Sequence, residues 1–229
     1  MSETRMEIEK LIDNDNLSGL LHRTALIHGH HCVGSALGVI AAHYAMKTLK
    51  IKENTGMEHL IAIIETNSCF SDGVQMVTGC TFGNNCLIYR DYGKTAFSLV
   101  KRSGEGVRVS LHPNLGDLLK DNRTEKQSFT RLINERKATP EEEARIIELN
   151  KEHCFNVLKI PAKKIFKSES INMDLPSYSK ILQSYTCVIC GEKVMASKAV
   201  PIDGKYYCIP CSRGSYNQLD WSGIHHVEK

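Results

Sequence analysis

The chain has 229 residues, of which 41% are hydrophobic and 24% are charged. These proportions are typical of a globular protein, and they exclude a disordered or collagen-like chain. The net charge of +3 is too small to indicate a nucleic-acid-binding protein by itself. The charged N-terminal segment lacks the apolar core of a signal peptide, and the longest weakly charged run is too short to span a bilayer. We therefore expect a cytoplasmic protein.

The composition is unusual in its nine cysteines and ten histidines. In a reducing compartment, cysteines are more often metal ligands or reactive thiols than partners in disulfides. An odd number of cysteines cannot all pair within one chain. The chemistry of this protein is therefore expected at its thiols and imidazoles.

The N-terminal third of the chain predicts two helices. Apolar residues at helical spacing after Asn16 predict a helix that ends near His28, where Gly29 can adopt the left-handed turn. A second helix is predicted directly after Cys32, with a continuous apolar stripe and small residues in its first turns. The two helices are thus separated by a short segment rich in histidine.

Strands and short helices are predicted in the rest of the first 160 residues. Runs of β-branched and aromatic residues predict strands at 59–66, 86–91, 95–102 and 106–113. A short helix is predicted between them, with Ser71 as its N-cap and Gly79 at its end. Thr139 predicts the start of a longer helix that reaches about Leu158. We expect one domain at 1–160, a connecting arm at 161–185 and a separate unit at 186–229.

The separate C-terminal unit is defined by two Cys-x-x-Cys pairs, which are Cys187 with Cys190 and Cys208 with Cys211. Two such turns supply the tetrahedral four-sulfur coordination that structural zinc prefers. A unit this short buries little apolar surface, so the metal should contribute much of its folding free energy. Disulfides or buried thiols are the alternative, and iron in a rubredoxin-like site uses the same ligands. We expect a zinc ribbon without chemistry of its own.

A second cluster lies at His28-Gly-His30-His31-Cys32. A cysteine at a helix N-terminus has a lowered pKa, which favours the thiolate that binds metals or attacks electrophiles. Cys69 stands in the same position before the short helix. If the two helices are neighbours, Cys32, Cys69, His30 and His28 can surround one ion and leave a coordination position open. Structural roles are the alternative for each of these residues, because isolated histidines and cysteines are common in cores and turns.

Three polar residues of the short helix, Asp72, Gln75 and Thr78, follow the spacing of one helix face and are candidates to support the metal ligands. Cys80 and Cys86 flank a Gly/Asn loop, and they are either a redox pair or buried structural thiols. Cys154 lies on a helix stripe and is expected in the core.

Three segments together resemble the FmdE family, the E-type component of formylmethanofuran dehydrogenase. They are HGHHCVGSALG (28–38), ETNSCFSDGVQMVTGCTFGNN (65–85) and DYGKTAF (91–97), and many members also carry a C-terminal zinc ribbon. The chain departs from the family pattern at Val33, where proline is usual, and at His31, where an apolar residue is common. The resemblance implies an α+β domain, with a sheet packed by helices, that is usually dimeric.

The resemblance also implies a ligand set and a biological setting. His30, Cys32 and Cys69 would be the metal ligands, while Asp72, Gln75, Thr78 and Lys94 would lie near the pocket. The family is named for a molybdenum or tungsten enzyme of one-carbon metabolism and methanogenesis. The resemblance therefore implies a homodimer that holds a transition metal or metallo-cofactor and has such an enzyme as a possible partner.

Three functions compete at this level. In the first, which we favour, the chain is a metal-binding accessory protein that docks through its zinc ribbon. In the second it is an enzyme, with Glu65 or Asp72 as the base beside a metal, or with Cys32 as a nucleophile and His30 as its base. In the third, lysines of the arm and the ribbon bind nucleic acid, as Lys159, Lys163, Lys164 and Lys167 would allow.

Overall fold

Three helices begin the chain, and each starts at a side-chain cap. They are α1 (Glu3–Asp13), α2 (Leu17–His28) and α3 (Val33–Thr48). Asn16 accepts a hydrogen bond from the Gly19 amide, and the left-handed Gly29 ends α2, both as the sequence predicts. These contacts come from a computed structural model that describes residues 2–228 except 53, 116–117, 120–127 and 130. The chain divides into two units, Met1–Leu175 and Pro176–Lys229.

A five-stranded sheet forms the centre of the first unit. Its strands are β1 (Leu60–Ile64), β2 (Leu87–Tyr89), β3 (Ala96–Lys101), β4 (Glu105–Leu111) and β5 (Phe166–Asn172). The spatial order is β2-β1-β3-β4-β5, with β1 and β2 parallel and the other pairs antiparallel. All five residues of β1 are buried, which explains its uninterrupted apolar sequence.

Helix α3 and a shorter helix, α4 (Phe70–Thr78), supply much of the remaining core. Ser71 does not cap α4 as the sequence predicts: Cys69 holds the N-cap position, and the Ser71 hydroxyl donates to the Thr66 carbonyl. Gly79 ends the helix in the left-handed conformation. The predicted helix therefore exists, but it starts earlier, with Cys69 as its N-cap.

The segment between β4 and β5 contains a π-helical turn (Arg131–Glu135), α5 (Pro140–Val157) and α6 (Ala162–Ile165). Thr139 and Glu142 form the predicted capping box of α5. The connecting arm expected at 161–185 differs from the structure, in which α6 and β5 belong to the first unit. The two serines and Lys167 of β5 suggest a loop by composition, but they lie on an exposed edge strand that pairs with β4 along seven residues.

The second unit contains three two-stranded sheets and one short helix. The strands pair as β6 (Ser184–Thr186) with β7 (Lys193–Met195), β8 (Val200–Ile202) with β9 (Lys205–Tyr207), and β10 (Tyr216–Asp220) with β11 (Gly223–Val227). A 3-10 turn (Ala196–Lys198) precedes β8, and α7 (Ile209–Ser212) follows β9. The rings of Tyr185 and Tyr206 stack with centroids 3.6 Å apart, which joins the first two sheets.

The expected α+β architecture is confirmed, with helices packed on a sheet and four cysteines gathered in the second unit. None of the helices in the described part of the chain combines the length and apolar character that crossing a bilayer requires.

Candidate metal centres

The turn between α2 and α3 brings the histidines and Cys32 together. Cys32 is the N-cap of α3, and its Sγ accepts a hydrogen bond from the Ser35 amide at 3.3 Å. The Ser35 hydroxyl lies 3.3 Å from the Cys32 amide, which completes a capping box built on a cysteine. The sulfur is therefore fixed at the positive end of a buried helix.

Close packing of α3 against α4 brings Cys69 close to Cys32 at the start of α3. A Cβ on Gly34 would lie 2.9 Å from the Cys69 Cβ and 3.8 Å from the Cys32 Sγ, and a Cβ on Gly38 would clash with the Phe70 carbonyl oxygen. The small residues at the start of α3 thus let the two helices touch at the backbone, so the starts of both helices are adjacent.

The ligand atoms of His28, His30 and Cys32 all lie within 4.8 Å of one another. The Nε2 atom of His28 is 3.5 Å from the Cys32 Sγ, and the rings of His28 and His30 have centroids 4.5 Å apart. In a tetrahedral zinc site, usual bond lengths place a nitrogen and a sulfur ligand about 3.6 Å apart. The observed separation therefore fits one ion shared by His28 and Cys32.

Cys69 is not one of these three clustered residues, but its thiol interacts with Cys32. A hydrogen bond from the Cys69 thiol, helped by Ser35 and His28, lowers the pKa of Cys32 to about 4 despite the opposing effect of burial. The same hydrogen bond and burial raise the pKa of Cys69 well above its usual range. Cys32 is thus the thiolate of the pair, and Cys69 is an adjacent thiol that a metal would have to deprotonate.

The carboxylate of Asp72 contacts the far side of His28. Its Oδ2 lies 2.8 Å from the His28 Nδ1, while its Oδ1 accepts a hydrogen bond from the Gln75 amide nitrogen at 3.2 Å. Burial lowers the pKa of His28, but Asp72 and the Cys32 thiolate outweigh that effect and raise it. Sequence reasoning pairs Cys32 with His30, two residues away, whereas the structure places His28 in hydrogen-bond contact with Cys32.

Other predicted site residues have different surroundings. The Thr78 hydroxyl donates to the Val74 carbonyl within α4, and Thr78 is fully buried. Lys94 is exposed, with its Nζ 5.9 Å from the centre of the Tyr92 ring. Glu65, expected as a possible base, is bound by the guanidinium of Arg108 at 2.6 and 2.8 Å. That ion pair occupies both carboxylate oxygens of Glu65.

His31 faces a different neighbour from the ligand cluster. Its Nε2 is 3.2 Å from the Nδ1 of His22, and both rings pack against Phe155. Burial and electrostatic repulsion from His22 lower the pKa of His31. His22 and His31 therefore form a second histidine pair next to the site.

The remaining cysteines of the first unit are buried. Burial and the negative charge of Cys32 raise the pKa of Cys154 to about 12, so Cys154 is a neutral core thiol near the site. A hydrogen bond from Cys80 lowers the pKa of Cys86 to about 7, while that bond and burial raise the pKa of Cys80. Cys80 and Cys86 are thus neighbouring thiols inside the core.

The four-cysteine cluster of the second unit is compact. The sulfurs of Cys187, Cys190, Cys208 and Cys211 lie within 4.8 Å of one another. Backbone amides of Cys190 and Cys208 lower the pKa of Cys187 to about 6. Four thiol donors in this arrangement fit tetrahedral zinc.

Comparison with known proteins identifies the family of the first unit. The model of the family described as "FmdE, Molybdenum formylmethanofuran dehydrogenase operon" matches residues 27–167. The chain belongs to the FmdE family. The matched segment contains all the His and Cys residues of the first site, from His28 to Cys69. The resemblance seen in the sequence is therefore confirmed.

Two relatives extend this comparison. A "Probable S-adenosyl-L-methionine-binding protein" of Archaeoglobus fulgidus is 36% identical over 221 residues, which cover 94% of this chain and 58% of the relative. The chain thus spans little more than half the length of that protein. A crystal structure of a tungsten formylmethanofuran dehydrogenase FmdE-like protein from Syntrophus aciditrophicus is 24% identical, with a TM-score of 0.57, and covers 86% of this chain and 91% of its own. At that identity the likeness concerns the fold.

Proposed function

We propose that this FmdE-family chain is a metal-binding accessory protein that holds a transition-metal ion in its first unit. The observation that carries the proposal is the convergence of the His28, His30 and Cys32 ligand atoms within 4.8 Å. Two imidazoles and a thiolate suit zinc, copper, nickel or iron better than the hard cations magnesium and calcium. Cys69 is the available fourth ligand, and its recruitment would close the site.

An accessory role follows from the incomplete ligand set. A tetrahedral ion bound by three residues keeps one coordination position for a ligand from outside the chain. The protonated Cys69 thiol beside the Cys32 thiolate can either take that position or leave it open. Such a site can hold a metal or metallo-cofactor transiently. We further propose a homodimer in the cytoplasm, with a molybdenum or tungsten enzyme as partner, because the family and the Syntrophus relative carry the name of that enzyme.

The second unit is proposed to hold a structural zinc ion through Cys187, Cys190, Cys208 and Cys211. With four thiolate ligands the ion has no free position, so this site would support folding and docking and would do no chemistry. The two sites thus divide the tasks of metal exchange and structural support.

Elemental analysis of anaerobically purified protein tests this division. We expect two metal equivalents per chain, and Cys32→Ser should lose one of them while the second unit keeps its own. Cys69→Ser should weaken binding at the first site. Cys154→Ser is the matched control, because Cys154 is a buried thiol near Cys32 that is outside the ligand cluster. Two equivalents retained in Cys32→Ser would refute the proposal.

A thiol-dependent enzyme is the second candidate, and one observation favours it. Cys32, His28 and Asp72 form a chain of contacts at 3.5 and 2.8 Å, in the order of a nucleophile, a base and an orienting carboxylate. In this version the base is His28 and not His30. Iodoacetamide separates the two functions: rapid alkylation of Cys32 in metal-loaded protein would favour the nucleophile, and protection by the metal would favour the ligand.

A further inference from the structure

The Asp72 carboxylate touches a proposed ligand without being one of the three clustered ligand residues. It lies on the first turn of α4, whereas His28 is the last residue of α2, so the contact joins two separate helices. The pair is partly shielded from water, because the His28 side chain is 12% exposed and that of Asp72 is 33% exposed. The contact is therefore a specific tertiary link at the metal site.

We infer that Asp72 is a positioning residue that fixes the tautomer and orientation of His28, and that Gln75 in turn holds Asp72. This inference rests on the proposed metal-binding function. An ionised carboxylate only accepts hydrogen bonds, so the 2.8 Å contact requires the hydrogen of neutral His28 to be on Nδ1. The lone pair is then on Nε2, the atom that lies 3.5 Å from the Cys32 sulfur. A carboxylate behind a metal-binding histidine also raises the basicity of the ligand.

Gln75 restricts the carboxylate in the same way. Its amide nitrogen donates to Oδ1 at 3.2 Å, which leaves Oδ2 directed at His28. Gln75 is three residues after Asp72 on α4, so this hydrogen bond is formed within one helical turn. Substitution of Asp72 should therefore weaken metal binding more than substitution of Gln75.

A purely structural role is the alternative. An acidic side chain in the first turn of a helix is favourable whatever it contacts, because it faces the positive end of the helix dipole. Asp72→Glu separates the two roles, since it keeps the negative charge at the helix start but has a longer side chain. Asp72→Asn keeps the size and removes the charge.

Cobalt(II) titration of the full chain measures the first consequence. The absorbance of the thiolate-bound cobalt at the first site is obtained by subtracting the spectrum of Cys32→Ser, which retains the four-cysteine cluster. We expect Asp72→Ala to weaken cobalt binding 10–100-fold, as is typical when the carboxylate behind a ligating histidine is removed. Asp72→Asn and Asp72→Glu should lose less, and Gln75→Ala only a few-fold.

Asp15→Asn provides a matched control. Asp15 contacts His43 at 3.0 Å, which makes a second aspartate–histidine pair in the same unit, and neither residue is among the clustered ligands. This variant should bind cobalt as the unaltered chain does. Asparagine also tolerates the left-handed backbone that Asp15 adopts with φ 52°.

Nitrogen NMR of His28 in metal-free protein supplies a readout that helix stability alone would not change, provided that the pH is above the raised pKa of His28 so that the imidazole is neutral. We expect the hydrogen on Nδ1 in the unaltered chain and a loss of that preference in Asp72→Ala. Unchanged cobalt affinity together with an unchanged tautomer in Asp72→Ala would overturn the inference. If the unaltered chain binds no cobalt at this site, the proposed function fails, and the tautomer measurement still decides whether Asp72 orients His28.

Discussion

Both cysteine-rich regions of this chain bring several metal-binding atoms close together, but different features of the structure do so in each. In the second unit, two short turns carry all four sulfurs, and the spacing Cys-x-x-Cys brings each pair together locally. In the first unit, the three clustered ligand residues lie in one turn. Cys69 and Asp72 belong to the start of α4, which lies close to that turn because the backbones of α3 and α4 pack together. The first site therefore depends on the fold, and the second unit is expected to depend on its metal.

Removing the metals should produce the largest difference between the two units. A zinc-dependent unit of about fifty residues gains roughly 10–16 kcal/mol of apparent binding free energy from its ion, by analogy with small zinc domains at neutral pH. We expect exhaustive chelation to unfold Pro176–Lys229 and to leave the sheet of the first unit intact. Hydrogen–deuterium exchange of the amides of β9 and β3 measures both units in one experiment.

Strand β3 serves as the internal control for β9 in that experiment, because the two strands differ in burial. Strand β3 is almost wholly buried in a large apolar core, whereas β9 is only partly buried. If β9 stayed protected in metal-free protein, the second unit would have sufficient core of its own, and the proposed role of its zinc would be wrong.

A substitution at Gly38 should damage the first site through the fold. A Cβ at this position would clash with the Phe70 carbonyl oxygen, so Ala must push α3 and α4 apart. Overpacking of this kind destabilises by about 1–3 kcal/mol, although alanine itself favours a helix. We expect Gly38→Ala to lower the denaturation midpoint of metal-free protein and to weaken metal binding at His28 and Cys32.

Gly83→Ala is the matched control for Gly38→Ala. The nearest atom to its added Cβ is the Thr81 hydroxyl at 4.0 Å, so the methyl group has room. This variant should keep both stability and metal content. Unchanged metal affinity in Gly38→Ala, measured beside it, would mean that the site tolerates movement between α3 and α4.

The sequence predicts the local parts of both sites because their signals are short-range. Caps, turns and Cys-x-x-Cys spacing depend on neighbouring residues, so Asn16, Gly29 and the four C-terminal cysteines have the local positions expected. The link between Asp72 and His28 spans 44 positions, and nothing in the spacing indicates which histidine receives the carboxylate. The choice of His28 over His30 as the partner of Cys32 likewise depends on how the turn is folded.

The sequence also fails to predict the edge strand β5. Its sequence, FKSESIN, alternates weakly and is largely polar because most of its side chains face water. Its pairing with β4 is made by backbone hydrogen bonds that any sequence can form. Polar composition therefore suggests a linker where the fold has a strand.

The smallest effect is expected at Ser35, whose side chain supports the cysteine cap. Its hydroxyl lies 2.9 Å from the Cys32 carbonyl oxygen and 3.3 Å from the Cys32 amide. Loss of such a capping contact destabilises a helix by about 0.5–2 kcal/mol. We expect Ser35→Ala to lower the unfolding free energy by about 1 kcal/mol and to weaken metal binding only slightly, because the Ser35 amide still donates to the sulfur.

Ser35→Thr restores a hydroxyl and serves as the partner variant for Ser35→Ala, with both measured by denaturant unfolding and cobalt titration. If Ser35→Ala instead reduced metal affinity as strongly as Asp72→Ala, the hydroxyl would be part of the metal site itself, and the first site would depend on its local turn as much as on the packing of α3 against α4. The proposed contrast between a first site that depends on the fold and a second unit that depends on its metal would then be weaker.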